Sequence, residues 1–267
     1  MTAKTKTLAW SRASYLLLSV FLATIALIGT VWWPLLRDYF AAYDPSYPWW
    51  KQTDFLLIGI FVAMSGLIMA GADVRSDTRL IVVGLLGGLV IESWGTRTGL
   101  WSYYTHERPP LWILPAWPIA TLSIDRLVRG LQRLTPRWVP TVFHRAHLLV
   151  MIGFLGLMAV FVRPTLSQPV TWAALAVCAW LALTPSDGRT QLLTFIAGAG
   201  LGYFLERWGT TRACWTYYTQ QTPPLFAVLA HGMAAVAFWR ALAVYDGAAS
   251  RAAAFFARFT RVASRTT

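Results

Sequence analysis

Residues 92–112 read ESWGTRTGLWSYYTHERPPLW, and residues 206–226 read ERWGTTRACWTYYTQQTPPLF. The two stretches align without a gap at an offset of 206 − 92 = 114, which pairs Glu92 with Glu206, Trp94 with Trp208, Gly95 with Gly209, Trp101 with Trp215, Tyr103 with Tyr217 and Tyr104 with Tyr218. The same offset joins Pro109 and Pro110 to Pro223 and Pro224. An apolar helix recurs easily by chance. An acid, two tryptophans, two tyrosines and a diproline in fixed register do not, so the chain is internally duplicated. Its fold must be one that a unit of this size can build against its own copy.

Composition decides the solvent. Hydrophobic residues make up 57% of the 267 positions and charged residues 13%, against about 45–50% apolar in soluble domains. Apolar runs fall at about residues 14–36, 54–73, 80–96, 110–130, 144–162, 168–185, 190–210 and 224–245. Each approaches the length needed to cross a hydrocarbon layer of about 30 Å as a helix. The expected class is therefore an all-α integral membrane protein of about eight transmembrane helices. The N-terminal basic patch and apolar stretch resemble a signal peptide, but the stretch is long and lacks a small-residue cleavage site, so an uncleaved first helix is expected.

The formal charge of +12 raises nucleic acid as a partner, and placement argues against it. With a cytoplasmic N-terminus, 16 of the 23 Lys and Arg residues fall in cytoplasmic segments, which is the positive-inside bias. No nucleic-acid partner is expected, and the site implied is a bacterial inner membrane crossed several times. Cys178 and Cys214 have no metal-type spacing and read as incidental.

Asp73 and Asp187, like Arg75 and Arg189, also keep the offset, so the duplication extends beyond the aromatic motif. Each half then holds four helices, and an even number of crossings makes the repeats parallel, with both termini cytoplasmic and both motif copies on the outer side. The expected layout is a first repeat at 1–130, a basic linker at 131–143, a second repeat at 144–246 and a basic amphipathic tail at 247–267. Symmetry breaks in the outer loop at 38–52, rich in Tyr, Trp and Pro, which has only a few residues as its counterpart.

Glu92 follows about a dozen apolar residues, so at ~1.5 Å per residue it sits about 18 Å along its helix. An ionised carboxylate at that depth must pair, face a cavity or stay protonated. Two readings stay open: each glutamate braces the outer loop by accepting hydrogen bonds from backbone or a Tyr hydroxyl, or it is a Brønsted acid beneath aromatic rings able to stabilise a carbocation. If the helices bearing Glu92 and Glu206 meet near the two-fold axis, the acids share one cavity under Trp101, Tyr103, Tyr104, Trp215, Tyr217 and Tyr218. Trp94, Trp208 and Trp117 complete the candidate substrate-binding set. The position of Trp117 becomes His231 in the second copy, either a core histidine or a partner for Glu206 that positions water. Glu92, Glu206 and His231 are the candidate catalytic residues. No His and carboxylate cluster has ligand spacing, so neither a metal nor another cofactor is expected.

Glu92-x-x-Gly95-x-x-Thr98-Gly99 followed by Trp101-x-Tyr103 resembles the acid-Gly-Thr-Gly-aromatic signature of the membrane carotenoid hydratases. Residues 99–103, GLWSY, are similar to the Gly-Val-Trp-x-Tyr segment of the small membrane lycopene cyclases, which are also built from duplicated helical units. The likeness covers about twenty residues per copy. It implies an enzyme that protonates a terminal double bond of a lipid-soluble isoprenoid drawn from the surrounding membrane lipids, with Glu92 as the acid and closure by water or by an alkene. The Pro-Ile-Glu-Glu element of the cyclases has LPAWPI, residues 114–119, in its place, and the second copy carries Arg212 and Ala213 for Thr98 and Gly99. The first copy is therefore expected to carry the chemistry. Two other classes fit the same residues: a proton-coupled transporter or flippase, and a non-catalytic membrane scaffold.

Overall fold

The computed structural model describes residues 10–135, 140–184 and 187–263. Lys4, Lys6, Arg137, Arg265 and the side chains of the expected amphipathic tail face (Phe255, Phe256, Phe259 and Val262) fall outside what is described. The first half contains α1 (Arg12–Val31), α2 (Trp33–Ala41), α3 (Trp49–Gln52), α4 (Phe55–Met69), α5 (Val74–Thr98), β1 (Trp101–Tyr103) and α6 (Ala116–Leu134). The second contains α7 (Pro140–Phe161), α8 (Pro169–Leu183), α9 (Gly188–Thr211), β2 (Trp215–Tyr217) and α10 (Leu225–Ala263). The fold is helical, as expected, with one small two-stranded ribbon that the apolar pattern does not announce.

Among the described residues, four segments are long and apolar enough to cross a membrane: Arg12–Val31, Leu111–Leu134, Thr141–Phe161 and Leu225–Gly247. The helices α4 and α8 are apolar but hold only 15 residues each. The run at 14–36 is not one helix: it breaks at Trp32, and α2 restarts with Pro34 in its first turn, where a missing N–H costs nothing. The helix α10 continues without interruption to Ala263, so the expected separate tail helix is an extension of the last helix.

The halves match element by element, and local chemistry shows why. Asp73 caps α5 by accepting from the Ser76 N–H at 2.9 Å, and Asp187 caps α9 by accepting from the N–H groups of Arg189 and Thr190, each at 3.1 Å. Such caps satisfy donors that a helix start leaves unpaired. At the other end, Leu100 N–H donates to Gly95 O at 2.9 Å and Cys214 N–H to Gly209 O at 3.0 Å, the long closing bond of a Schellman turn. Gly99 makes the first turn at φ +75°. Ala213 makes the second at φ +54°. The Arg108–Pro109 and Thr222–Pro223 peptide bonds that follow are both cis.

The connection before α4 departs from the repeat. Tyr104 and Tyr218, separated by the common offset, donate to Val31 O and Phe161 O, which lie 161 − 31 = 130 apart. The extra 130 − 114 = 16 residues of the first half form the outer loop with α2 and α3.

The helices α5, α6, α9 and α10 form the centre: α6 packs on α5 and α9, and α10 on α9 and α5. The pairs α1–α4 and α7–α8 flank it. Ser14 near the start of α1 donates to Met69 O at the end of α4 at 2.8 Å, and Arg79 near the start of α5 meets Asp246 late in α10 at 2.5 Å. Successive long helices therefore run in alternating directions, with the ribbon at one end and these contacts at the other.

Candidate functional site

The ribbon joins the two halves. The strands β1 and β2 pair antiparallel with Trp101 opposite Tyr217, Ser102 opposite Thr216 and Tyr103 opposite Trp215. Ser102 and Thr216 are each other's counterparts, since 216 − 102 = 114, and their hydroxyls lie 3.3 Å apart. The pseudo-two-fold axis therefore passes between them. A second counterpart pair, Trp117 on α6 and His231 on α10, stacks with ring centroids 5.9 Å apart and planes 19° from parallel. The axis passes through that stack as well.

Side chains two apart on a strand share a face, so each strand turns one Trp and one Tyr toward the helix that precedes it. Glu92 is buried at 3% exposure. Its Oε2 accepts from Trp101 Nε1 at 3.0 Å, and its Oε1 from the Tyr103 hydroxyl at 2.9 Å and Trp117 Nε1 at 3.2 Å. Glu206, at 4% exposure, repeats the set: Oε2 accepts from Trp215 Nε1 at 2.9 Å, Oε1 accepts from the Tyr217 hydroxyl at 2.8 Å, and Oε1 lies 3.0 Å from His231 Nε2. An indole N–H can only donate, whereas a Tyr hydroxyl can donate or accept, so the set holds Glu92 either as a carboxylate or, with a proton on the oxygen facing Tyr103, as the acid. A hydrogen bond thus links each acid to one member of the central Trp117–His231 stack.

Glycines make this clasp possible by leaving room for rings. A Cβ on Gly95 would stand 1.8 Å from the Trp101 ring and one on Gly209 2.0 Å from the Trp215 ring. Gly88 and Gly202 receive Trp117 and His231 in the same way, at 2.3 and 2.5 Å. These four glycines thus seat four of the six residues that hold the carboxylates. Thr96 and Thr210 add a hydroxyl bond of 2.6 Å to the carbonyls of Glu92 and Glu206.

The aromatic candidates divide into two groups. Trp101, Tyr103, Trp117, Trp215 and Tyr217, with His231, reach a carboxylate. Trp94 and Trp208 turn outward across the halves: Trp94 Nε1 donates to Thr171 at 3.4 Å, and Trp208 Nε1 to Asp54 at 2.8 Å. Tyr104 and Tyr218 anchor the ribbon to the ends of α1 and α7. Arg212, where the first copy has Thr98, reaches the same Asp54 at 2.7 Å. Three further aromatics lie outside the candidate set: Trp32, an expected interfacial-belt residue, stacks on Trp208 at 5.2 Å, and Phe161 stacks at 4.0 Å on Phe226, the counterpart of Trp112.

Glu92 on α5 and Glu206 on α9 line neither of the two hollows described below, and these two helices do not pack chiefly on each other. Their main partners are α6 and α10, and the space between the acids is filled by the Trp117–His231 stack and by the ribbon, where Tyr103 lies 5.9 Å from Trp215 and Trp101 6.0 Å from Tyr217. Two hollows lie elsewhere, one of about 50 Å³ among α5, α6, α9 and α10 beside Thr121 and Thr194, the other on the surface beside Trp33. Among the described residues no group of three or more His, Cys, Asp or Glu is placed to hold a metal ion. No family model, curated protein or solved structure matches the chain.

Proposed function

We propose that the chain is a multi-pass protein of the bacterial inner membrane, and that its two glutamate clasps act on a lipid-soluble isoprenoid by protonating a double bond. Bilayer placement is supported by the outward faces of the bundle, where Val20, Val62, Val90, Leu149, Val160 and Phe204 are all at least half exposed. Apolar surface of that extent calls for a cover. The orientation with both termini cytoplasmic is supported by the Arg-rich end opposite the ribbon. The chemistry is supported by one observation: two buried carboxylates, each ringed by its own aromatic and indole or imidazole partners and linked through the stacked Trp117 and His231.

In the proposed reaction the Glu92 carboxyl proton forms a C–H bond at one alkene carbon, and the π electrons leave a cation at the more substituted neighbour. The faces of Trp101, Tyr103 and Trp117 stabilise that cation, each by about 0.5–2 kcal/mol. Water adds to the cation, its surplus proton passes to the Glu206–His231 pair, and return of one proton to Glu92 resets the acid, so the net change is alkene plus water to alcohol. Closure by a second alkene of the substrate is the cyclising alternative. Entry of the substrate requires the Trp117–His231 stack to part.

A second reading is favoured by the saturation of both acids: each already has three polar partners and lines neither of the two hollows above. In that reading the clasps only brace the ribbon, and the protein is a scaffold. The test compares the isoprenoid profile of cells with and without the gene, with Glu92→Gln re-expressed at wild-type level. The enzyme reading expects a hydrated or cyclised product that disappears on deletion and stays absent with Glu92→Gln. An unchanged profile on deletion would overturn it in favour of the brace.

A further inference from the structure

The hollow among α5, α6, α9 and α10 lies on the pseudo-two-fold axis. Its lining includes both members of three counterpart pairs, Leu80 with Thr194, Thr121 with Ala235 and Asp125 with Trp239, each at the offset of 114. The line that runs between Ser102 and Thr216 and through the Trp117–His231 stack therefore continues into it. Thr121 and Ala235 each follow a member of that stack by one helical turn, about 5.4 Å. Phe238, which also lines the hollow, meets the Trp117 ring edge-on at 6.0 Å.

Each of these pairs sets a hydroxyl or a carboxylate against a side chain that has neither, so the lining is two-fold in shape and one-sided in chemistry. Thr194 is 3% exposed, and its hydroxyl has no hydrogen-bond partner in the protein. A helical threonine can return its hydroxyl to the carbonyl one turn back, as Thr121 does to Trp117 O at 2.8 Å. A buried hydroxyl that does not do so costs free energy unless something else answers it. The Thr121 oxygen keeps lone pairs for a second partner. Asp125, whose side chain is 32% exposed, is held by Arg126 and Arg129 through Oδ2 at 2.7 and 2.6 Å, which leaves Oδ1 to accept.

We propose that this hollow is a water site, and that it holds the water that adds to the cation in the reaction proposed above. One water needs about 10–15 Å³ of such space and a few polar partners, and the hollow offers about 50 Å³ with Thr121, Thr194 and Asp125 in its lining. Water accepts from the Thr194 hydroxyl and donates to the Thr121 oxygen and the Asp125 carboxylate. Asp125 lies one turn further from the ribbon than Thr121, so the polar lining leads from the Arg-rich end toward the stack. Trp117 belongs both to the stack and to the edge contact with Phe238, so the parting that admits the substrate also uncovers the hollow. Water then arrives beside His231, which takes the surplus proton. The supply role rests on the isoprenoid reading, whereas the water site does not.

The site is tested by X-ray hydroxyl-radical footprinting of the full chain in nanodiscs, with heavy-oxygen water mixed in just before exposure and the label read by mass spectrometry. Radicals made from bound water mark the side chains beside it. Phe238, at 7% exposure, is expected to take up heavy oxygen, whereas Phe154, at 2% exposure and packed against Phe195 and Phe226, is not. Thr194→Val, which removes the hydroxyl at nearly constant size, and Thr194→Leu, which installs the residue of the first half, are both expected to lower the Phe238 label severalfold. A Phe238 label no higher than that of Phe154 in wild type, or unaltered in Thr194→Val, would overturn the site. If Thr194→Leu does not fold, wild type and Thr194→Val decide. The supply role is read in the isoprenoid profile of cells, where Thr194→Val is expected to lower the share of alcohol relative to cyclised or unhydrated product, and an unchanged share overturns that role. An unchanged profile on deletion of the gene removes the reaction and the supply role together, and the Phe238 label still decides the site.

Discussion

At the level of single residues the two carboxylates are held by the same atoms at nearly the same distances, 2.9 and 2.8 Å from the tyrosines and 3.0 and 2.9 Å from the strand tryptophans. Removing a tyrosine hydroxyl deletes one bond to a buried acid and leaves no orphaned donor behind. Tyr103→Phe and Tyr217→Phe are therefore expected to destabilise the protein by a similar amount, about 1.5–3 kcal/mol each, measured by reversible unfolding of the two variants side by side. A loss confined to one of them would mean that the copies are not equivalent clasps. The copies do differ at one partner, where an indole can only donate to Glu92 while the His231 imidazole can exchange a proton with Glu206. Sequence alone shows the acids, the rings and the Trp117–His231 difference, because all keep the offset of 114. It does not show which rings reach an acid, since Trp94 and Trp101 have the same chemistry and differ only in the element that aims them.

Among the elements, the turn that launches each strand is where the second copy is the poorer. Gly99 and Ala213 both hold a left-handed backbone, at φ +75° and +54°, and a Cβ there costs roughly 1–2 kcal/mol. Ala213→Gly is expected to stabilise the protein by about 1 kcal/mol and Gly99→Ala to destabilise it by a similar amount, read from the shift of unfolding midpoints. Helix existence is legible from the apolar runs, and the starts of α5 and α9 follow from the capping chemistry of Asp73 and Asp187. The ribbon was not, because three residues per strand are too few for a period-two pattern to stand out, and their partners lie in the other half of the chain. The break at Trp32 was hidden for a different reason, since Trp32, Trp33 and Pro34 continue an apolar run that a hydropathy pattern reads as one span.

For the whole molecule, the alternating helix directions place the loop at 38–52 with the ribbon and the Arg-rich ends opposite. Under the proposed topology a cysteine at Ser46 is expected to react with a membrane-impermeant thiol reagent in intact spheroplasts, and one at Arg133 only after the membrane is opened. The reverse pattern would invert the protein in the bilayer. The halves are tied by more than the ribbon, because Trp208 and Arg212 of the second both hold Asp54 of the first, at 2.8 and 2.7 Å. The pairs on the axis carry a historical consequence. In a homodimer of one four-helix chain, a residue on the two-fold axis faces an identical residue. Ser102 against Thr216 is a small departure from that condition, but Trp117 against His231 is a pairing that no such homodimer can form. The mixed pair could therefore arise only once the two units had become separately heritable, whichever of its two residues came first.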